Sequence, residues 1–320
     1  MPSLKFRNGL LIVASLIFYA YGEPVYVLLM IFSSLLNYIC ARLVANENAK
    51  KKLVLVLAVV INLGILAVFK YSGFFVESLN SVTGLAIPVP QIDLPIGISF
   101  FTLQAVSYLF DVYRGLIKAD DNILRLALFM SFFPQIVEGP ICRYGQTANQ
   151  LWNVKQIEFE NLKLGAVRIL FGLMKKLVIA DRLNPMIKQI FSHYDDYQGG
   201  IIALGAIAYT IQLYCDFSGT MDARNGCCSD FSALQLPENF QRTFLFEINF
   251  RILKRWHITL GTWFKDYIFY PVTMSKPMKN SYIFRTQKAR QPLWPVACRK
   301  HSVVLCLFVA TDCGTVLRGV

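Results

Sequence analysis

The stretch LVLVLAVVINLGILAVF, residues 53–69, decides the fold because it is apolar almost throughout and carries no charge. A helix needs roughly 20 mostly apolar residues to cross the hydrocarbon core of a bilayer. Residues 25–43 form a second run of this kind, and residues 9–21 form a shorter one. The sequence Gly22-Glu23-Pro24 separates these two runs, and Pro resists helix continuation. Three membrane-crossing helices are therefore predicted in the N-terminal part of the chain.

Basic residues predict the orientation of these helices. Lys5 and Arg7 precede the first run, while Arg42 and the cluster Lys50 to Lys52 follow the second. The positive-inside rule places both ends on the cytoplasmic side and the Gly-Glu-Pro turn outside. No small-residue cleavage site follows residues 9–21, and a second apolar run comes at once, which argues against a signal peptide.

Later apolar runs carry polar residues in their interiors or at their ends. Such groups are costly at membrane depth and usually face a bundle interior or a cavity. Residues 71–94 contain several Gly and Pro residues and are predicted to form a loop or interfacial stretch. The predicted fold class is all-α, a polytopic membrane helix bundle treated as one domain. The later runs are residues 95–111, 123–138, 163–180 and 198–215.

Composition excludes several classes of protein. The 320 residues are 55% hydrophobic and only 16% charged, whereas soluble domains carry about 25% charged residues. The net charge of +12 arises from basic residues beside apolar runs, which indicates lipid headgroups as partner and no nucleic acid. Eight cysteines include no CxxC pair, so no metal site is expected. No P-loop, GxGxxG, GxSxG or HExxH motif occurs.

Three places in the sequence carry candidate chemistry. His257 lies in an amphipathic stretch, where a neutral imidazole serves either as a general base or as a structural hydrogen-bonding group. Asp216 ends an apolar run and is either a helix-terminus group or a cavity-lining carboxylate. Gln135 and Arg143 lie in a segment where Pro and Gly break a helix. That segment is either re-entrant or an ordinary interfacial turn with Arg143 reaching toward the headgroups.

Five strings in this order resemble membrane-bound O-acyltransferases, with the bacterial alginate O-acetyltransferase branch nearest and the D-alanyl transfer protein of teichoic acids a close relative. The resemblance extends from about residue 9 to residue 280. The strings are LPIGISFFTLQAVSYLFDVYRG (94–115), SFFPQIVEGPICRY (131–144), YCDFSGTMD (214–222), LPENFQR (236–242) and RWHITLGTWFKDYIFYP (255–271).

The resemblance implies a multi-helix membrane fold with a central tunnel, in which an acyl group passes from a cytoplasmic donor to a hydroxyl of an exported polysaccharide. D-alanyl transfer to teichoic acid is the alternative within the family. His257 matches one of two family histidines. The other, in a Trp-His-Gly string, is the one usually given the role of base. Tunnel-lining or supporting roles are implied for Asp216, Asn239, Arg255 and Trp263, and we add Gln135 and Arg143 from their own segment.

The resemblance also implies the surroundings of the reaction. No bound cofactor is expected, and the acyl donor is acetyl-CoA or an acyl carrier. The expected partners are membrane lipid, an exopolysaccharide acceptor and extracytoplasmic acetylation proteins. The expected location is the cytoplasmic membrane, with several membrane crossings.

Three segments depart from the family pattern. Residues 223–233 (ARNGCCSDFSA) and 243–253 (TFLFEINFRIL) lack the expected apolar helix and the expected Pro-Phe-x-Ser pattern. When each is back-translated and read one base later, degenerate codons allow Leu-Val-Met-Gly-Val-Ala-Gln-Ile-Phe and Pro-Phe-Phe-Ser-Lys-Ser-Ile-Ser-Glu-Phe. We therefore interpret both segments as frame-altered within a membrane domain covering residues 1–280.

The tail, residues 281–320, has no family character and contains no Trp-His-Gly string. Read from the third base of each codon, residues 311–320 allow Gly-Leu-Trp-His-Gly-Ala-Ala-Trp-Ser, with the His codon spanning Gly314 and Thr315. The hypothesis is that frameshifts alter the chain and leave it incomplete at the C-terminus relative to the family.

Two consequences are expected. Arg224, Asn225, Ser229 and Asp230 would weaken the helix that should cross there, since a charge near the bilayer centre costs about 2.5–3.5 kcal/mol. Losing one histidine of the pair typically costs about two to four decades of rate, so the chain as printed is expected to be inactive or nearly so. A transporter or a non-catalytic membrane scaffold stays open as an alternative, although no inverted repeat is visible.

Overall fold

Helices account for all the regular secondary structure in the computed structural model, which describes residues 4–47, 49–90, 92–136, 139–153, 159–230, 234, 236–240 and 255–273. No strand occurs within these ranges. The all-α fold class is therefore confirmed. The chain divides into two compact units, unit 1 (residues 1–148 and 238–320) and unit 2 (residues 149–237).

Within the described residues, four helices are long and apolar enough to cross a membrane, namely Leu4–Gly22, Val27–Ala45, Lys51–Thr83 and Gly199–Cys228. The first three are α1, α2 and α3 of unit 1. Helices α1 and α3 contain the runs at residues 9–21 and 53–69, and α2 contains the run at residues 25–43 except for its first two residues. Large apolar side chains such as Leu57 and Val60 are more than half exposed on these helices, as expected where lipid surrounds a protein. The protein is a membrane protein.

Helix α3 is much longer than predicted. It continues through Gly73 to Thr83, so the predicted loop at residues 71–94 is wrong for its first part. One Gly inside a helix costs only about 1 kcal/mol, which the rest of the helix outweighs. The helix ends at Gly84, which adopts a left-handed conformation with φ of 68° and donates its N–H to the carbonyl oxygen of Asn80.

The predicted broken helix is confirmed. Helix α5 (Ile123–Ser131) ends before Phe132, and a single turn, α6 (Phe133–Ile136), follows. Residues 139–143 are not helical, and α7 (Tyr144–Trp152) begins directly after them. The run at residues 123–138 is thus two helices rather than one. A glycine is required opposite the break, since a Cβ atom at Gly97 would lie 2.3 Å from the carbonyl oxygen of Ile136.

Two further helical segments complete the described part of unit 1. Helix α4 (Ile98–Tyr113) is the most buried helix of the unit. The last segment begins with α11 (Ile258–Phe264) and continues through a π-helical turn, Lys265–Phe269, into α12 (Tyr270–Thr273). Leu260, Trp263 and Tyr267 of this segment share a buried apolar cluster with Val106 and Ile141.

The described part of unit 2 contains three main helices: α8 (Phe159–Leu173), α9 (Asp181–Ser192) and α10 (Gly199–Asn225). A π-helical turn, Met174–Ala180, joins α8 to α9, so the predicted run at residues 163–180 is helical throughout. Helix α10 contains the run at residues 198–215 except for its first residue and extends it by a further ten residues, to Asn225. A second π-helical turn, Gly226–Asp230, follows it.

The segment interpreted as frame-altered, residues 223–233, keeps a helical backbone as far as residue 230. Asn225 is buried, and its side-chain oxygen accepts a short hydrogen bond from the guanidinium of Arg224. The other altered segment, residues 243–253, and the tail, residues 281–320, lie outside the described residues. The predicted boundary at residue 280 therefore stays a prediction.

Candidate active site

His257 adopts an unusual backbone conformation. It lies directly before α11 with φ of 48° and ψ of 52°, and it is the one non-glycine residue with positive φ among the described residues. Its side chain is 2% exposed. A left-handed conformation costs about 1–2 kcal/mol for a residue with a Cβ atom. Such strain persists only where the surroundings hold it, and it clusters at functional sites.

The environment of His257 keeps its imidazole neutral. Desolvation by burial lowers the pKa of His257 to about 4, well below its ordinary value of 6.5. At neutral pH this side chain is therefore uncharged and can accept a hydrogen bond or a proton at one ring nitrogen. Arg255 lies two residues earlier and is partly buried.

Asn239 holds the chain that follows His257. Its main-chain oxygen accepts a hydrogen bond from the N–H of Ile258 at 3.1 Å, and its side-chain Oδ1 accepts one from the N–H of Thr259 at 3.3 Å. Oδ1 also accepts the Thr259 hydroxyl at 2.6 Å. The first N–H groups of a helix have no partner within it, so Asn239 acts here as a cap supplied by another segment.

Trp263 lies one turn further along α11 and is 5% exposed. Its indole Nε1 donates to the main-chain oxygen of Leu103 in α4 at 2.9 Å. Its ring packs against Phe264 and Tyr267. Trp263 therefore fastens the helix that follows His257 to the core of unit 1, which fits the supporting role that the resemblance implies.

Arg143 lies at a cleft rather than reaching freely toward solvent. Its guanidinium forms a close ion pair with Asp266 and lies 5.5 Å from the centre of the Tyr267 ring. Arg114 lies over the same ring at 5.4 Å and donates to the main-chain oxygen of Asp266 at 3.1 Å. The Tyr267 hydroxyl donates to Asp111 at 2.8 Å. The cleft has a volume of about 390 Å³ and is lined by Asp111, Arg114, Leu116, Arg143, Asp266, Tyr267, Tyr270 and Pro271.

Gln135 lies in α6 and is 1% exposed. Neither oxygen nor nitrogen of its amide has a hydrogen-bond partner within the described ranges of the chain. A buried amide without partners is costly, so the side chain suits a position where substrate or water completes its hydrogen bonds.

Asp216 belongs to unit 2, and its predicted place at the end of a helix is wrong. It lies inside α10, nine residues before Asn225, and its carboxylate pairs with Lys176 at 2.7 Å. The ion pair with Lys176 offsets part of the cost of burying this carboxylate.

Four of the site residues predicted from sequence lie in unit 1. Asn239 bonds to the two residues after His257, Trp263 lies in the same helix, and Arg143 lines the cleft further along that segment. Thr259, Asp266 and Tyr267 were not predicted. All three lie in the string around His257, and their spacing along a helix was the available signal. Within the described residues no group of three His, Cys, Asp or Glu side chains is arranged to hold a metal ion.

Comparison with known proteins agrees with these features. The sequence profile of the family described as membrane-bound O-acyltransferase matches residues 114–287. A relative named "Probable alginate O-acetylase AlgI" from Pseudomonas aeruginosa is 34% identical over 83% of this chain and 52% of its own length. The peptidoglycan O-acetyltransferase of Helicobacter pylori is 32% identical over 86% of this chain and 57% of its own length.

The teichoic acid D-alanyltransferase of Bacillus subtilis is 30% identical over 58% of this chain and 48% of its own length. The chain thus spans about half the length of the curated relatives it matches. The family profile covers more than half of the 320 residues. The chain belongs to the membrane-bound O-acyltransferase family.

Proposed function

We propose that this protein is an O-acyltransferase of the cytoplasmic membrane that moves an acetyl group from a cytoplasmic thioester donor to hydroxyl groups of an exported polysaccharide. The observation that carries this proposal is the buried, strained His257 within a family string. Relatives named for acetylation of alginate and of peptidoglycan support acetyl as the acyl group and a polysaccharide as the acceptor.

The reaction requires an acceptor hydroxyl to attack the carbonyl carbon of the thioester. An O–C bond forms, the C–S bond breaks, and the hydroxyl proton passes through a base to the departing thiolate. At neutral pH an uncharged imidazole can accept a hydrogen bond from that hydroxyl. A pKa of about 4 makes His257 a weak base, so we assign it to orient the hydroxyl beside the second family histidine.

Charge supports donor entry from the cytoplasm. Lys50 to Lys52 follow α2, and Arg42 at the end of α2 forms an ion pair with Asp121, a few residues beyond the cleft residue Arg114. In this proposal the cleft lies at the same end of unit 1 as the basic loop. Under the positive-inside rule that end is cytoplasmic. The donor is acetyl-CoA or an acyl carrier.

Several membrane crossings, a central tunnel and extracytoplasmic partner proteins belong to the same proposal. Tunnel-lining or supporting positions are proposed for Gln135, Asp216 and Arg255. D-alanyl transfer is the second candidate, because the Bacillus subtilis relative carries that name. Separate reactions with a labelled acetyl donor and a labelled D-alanyl donor distinguish the two candidates, because only the true donor should pass its label to the acceptor.

The test is acyl transfer by membranes that contain the chain as printed or the product of the gene read in the frames that restore Trp-His-Gly. Label from acetyl-CoA should enter the polysaccharide with the restored product. It should fall by about two to four decades in the printed chain and in a His257→Gln variant. His193→Gln is the matched control, since His193 is exposed, and it should transfer normally. Transfer that is indifferent to His257→Gln would overturn the proposal.

A further inference from the structure

Thr259 stands where three segments of unit 1 meet. Its hydroxyl donates to the side-chain oxygen of Asn239 at 2.6 Å and accepts the main-chain N–H of Ile141 at 3.1 Å. A hydroxyl has one proton to donate and lone pairs to accept, so both bonds form at once. Thr259 is 6% exposed and Asn239 is 1% exposed, so water does not compete for these bonds.

The three bonded segments surround the strained residue. Asn239 accepts the N–H groups of the two residues that follow His257, and α11 begins there. The carbonyl oxygen of His257 accepts the N–H of Gly261 at 3.1 Å, as the first turn of that helix requires. The backbone after His257 is therefore held from outside the helix as well as from within it.

A second tie joins the same segments. Ile141 belongs to the non-helical residues 139–143, and Arg143 at the end of that stretch pairs with Asp266, seven residues beyond Thr259. Residues 139–143 are therefore attached to the segment after His257 at two points, Thr259 and Asp266, which lie about two helical turns apart. Thr259 thus hydrogen-bonds to a fixed neighbour, not to a mobile loop.

We propose that Thr259 and Asn239 are positioning residues, whose hydrogen bonds to each other and to Ile141 hold His257 in its left-handed, buried conformation. The catalytic meaning of this arrangement rests on the proposed function, but the arrangement itself is testable without any activity. Without the bonds, His257 relaxes to an ordinary backbone conformation, because the left-handed one is the less stable. Its imidazole then becomes accessible to solvent.

The first test is carbethoxylation of histidines by diethyl pyrocarbonate in the detergent-solubilised full chain, followed by peptide mass spectrometry. In the unmodified sequence, His257 should react far more slowly than the exposed His193, which is the internal standard. Thr259→Val keeps the side-chain shape and removes the hydroxyl. It should raise the rate at His257 by about tenfold, as the loss of a buried hydrogen bond implies, and leave His193 unchanged.

Two variants serve as controls. Thr259→Ser keeps the hydroxyl and should keep the slow rate. Thr262→Val removes a hydroxyl that donates to the main-chain oxygen of Thr259 at 2.9 Å in the same helix but does not bond to Asn239, and it should also keep the slow rate. If His257 is carbethoxylated at the same rate in Thr259→Val as in the unmodified chain, the proposal is overturned. Equal acceleration in both Val variants would also overturn it, since that result means general loosening of the helix.

If Thr259→Val does not accumulate in membranes, the pair Asn239→Asp and Asn239→Leu carries the same test. Asp keeps an acceptor oxygen at the start of a helix, where a negative charge is favourable. Carbethoxylation of His257 should therefore stay slow in this variant. Leu removes the acceptor and should raise the rate of carbethoxylation at His257. The opposite order would contradict the proposal.

Kinetics separate this inference from the proposed function. In a preparation that transfers acyl groups, Thr259→Val should lower kcat by about tenfold or more and leave KM for the acceptor unchanged, with recovery in Thr259→Ser. Protection of His257 without any acyl transfer in the product that contains the restored Trp-His-Gly string would overturn the proposed function alone. Normal kcat in Thr259→Val would overturn the positioning role alone.

Discussion

Two regions stabilise polar groups in different ways. One is the contact of α8 and the following π-helical turn with α10 in unit 2, where the groups are partly buried, and the other is the surroundings of His257 in unit 1. In unit 2 the polar groups are charged and paired. Lys175 bonds to Asp222 at 2.6 Å, Lys176 bonds to Asp216 at 2.7 Å, and Arg168 lies 3.4 Å from Asp222. Around His257 the hydrogen-bonding groups are a main-chain amide, a hydroxyl and a carboxamide, all of them neutral.

The difference teaches what each region requires. Opposite charges between two helices fix which faces meet, because a mispaired charge in a low-dielectric setting costs several kcal/mol. A charge close to His257 would instead move the pKa of its imidazole toward the charged or the neutral form. Neutral partners position the residue and leave burial as the main influence on its pKa. The site therefore keeps a neutral imidazole mainly through burial.

The largest expected effect comes from removing one carboxylate from the ion pairs of unit 2. Asp222→Asn leaves Lys175 and Arg168 next to a neutral amide, and these side chains are only 15% and 28% exposed. Removing one partner of a buried pair costs about 3–5 kcal/mol, and partial exposure here favours the lower end, about 3 kcal/mol. The free energy of unfolding in mixed SDS micelles measures the loss.

Asp121→Asn is the matched control for that experiment. Asp121 pairs with Arg42, but its side chain is 92% exposed, so the same chemical change should alter the free energy of unfolding by about 0.5 kcal/mol or less. Similar losses at both positions would mean that the pairs in unit 2 are no more protected from solvent than a surface pair.

The second effect tests the neutral side. The pKa of His257 is lowered to about 4 in the folded protein by burial, while an unfolded histidine has a value of about 6.5. The folded state therefore binds this proton less readily. Its stabilising contribution is complete above about pH 6.5 and is lost as pH falls toward 4. Between pH 7 and pH 5 the loss should be about 2 kcal/mol.

His257→Asn isolates this contribution, because Asn tolerates the left-handed conformation and has no proton to gain. The unfolding free energy of this variant should fall less steeply between pH 7 and pH 5 than that of the unmodified chain, by about 2 kcal/mol. All other side chains are the same in both proteins, so their contributions cancel in the difference. Parallel pH curves would contradict a neutral, buried His257.

The sequence was sufficient for the apolar helices and for the break after α5, and not for the pairing of the charged groups. Apolar runs at residues 25–43 and 53–69 predicted α2 and α3, and Pro134 with Gly139 predicted the break after α5. The pairing of Lys176 with Asp216 depends on how α8 and α10 align across forty residues of chain. Hydropathy treats each charge as a separate cost and does not identify its partner.

The positioning of His257 shows the same limit at closer range. Asn239 and His257 were each recognisable from family strings, but the hydrogen bonds run from Asn239 to the two residues after His257. The spacing of Thr259 from Asp266 and Tyr267 was its one signal in the sequence, and it is a weak one because a Thr at a helix start is common. Likewise, Gly73 indicated a loop although α3 continues to Thr83, because one Gly does not outweigh a long apolar helix.

The smallest expected effect tests how closely the charged helices approach. A Cβ atom at Gly172 would lie 2.5 Å from the main-chain oxygen of Gly219, and one at Gly226 would lie 2.7 Å from that of Gly165. These contacts are with backbone, which cannot rotate aside. Gly172→Ala should therefore separate α8 from α10 and lower the free energy of unfolding by about 1–2 kcal/mol, the usual cost of overpacking.

Gly64→Ala gives the opposite expectation in α3, where nothing lies within 4 Å of the added Cβ atom. There the substitution should raise the free energy of unfolding by about 0.5–1 kcal/mol, because Ala is the better helix former. Opposite signs at two helical glycines follow only if α8 and α10 are in backbone contact. A stabilising Gly172→Ala would mean that the ion pairs hold these helices together across a wider gap.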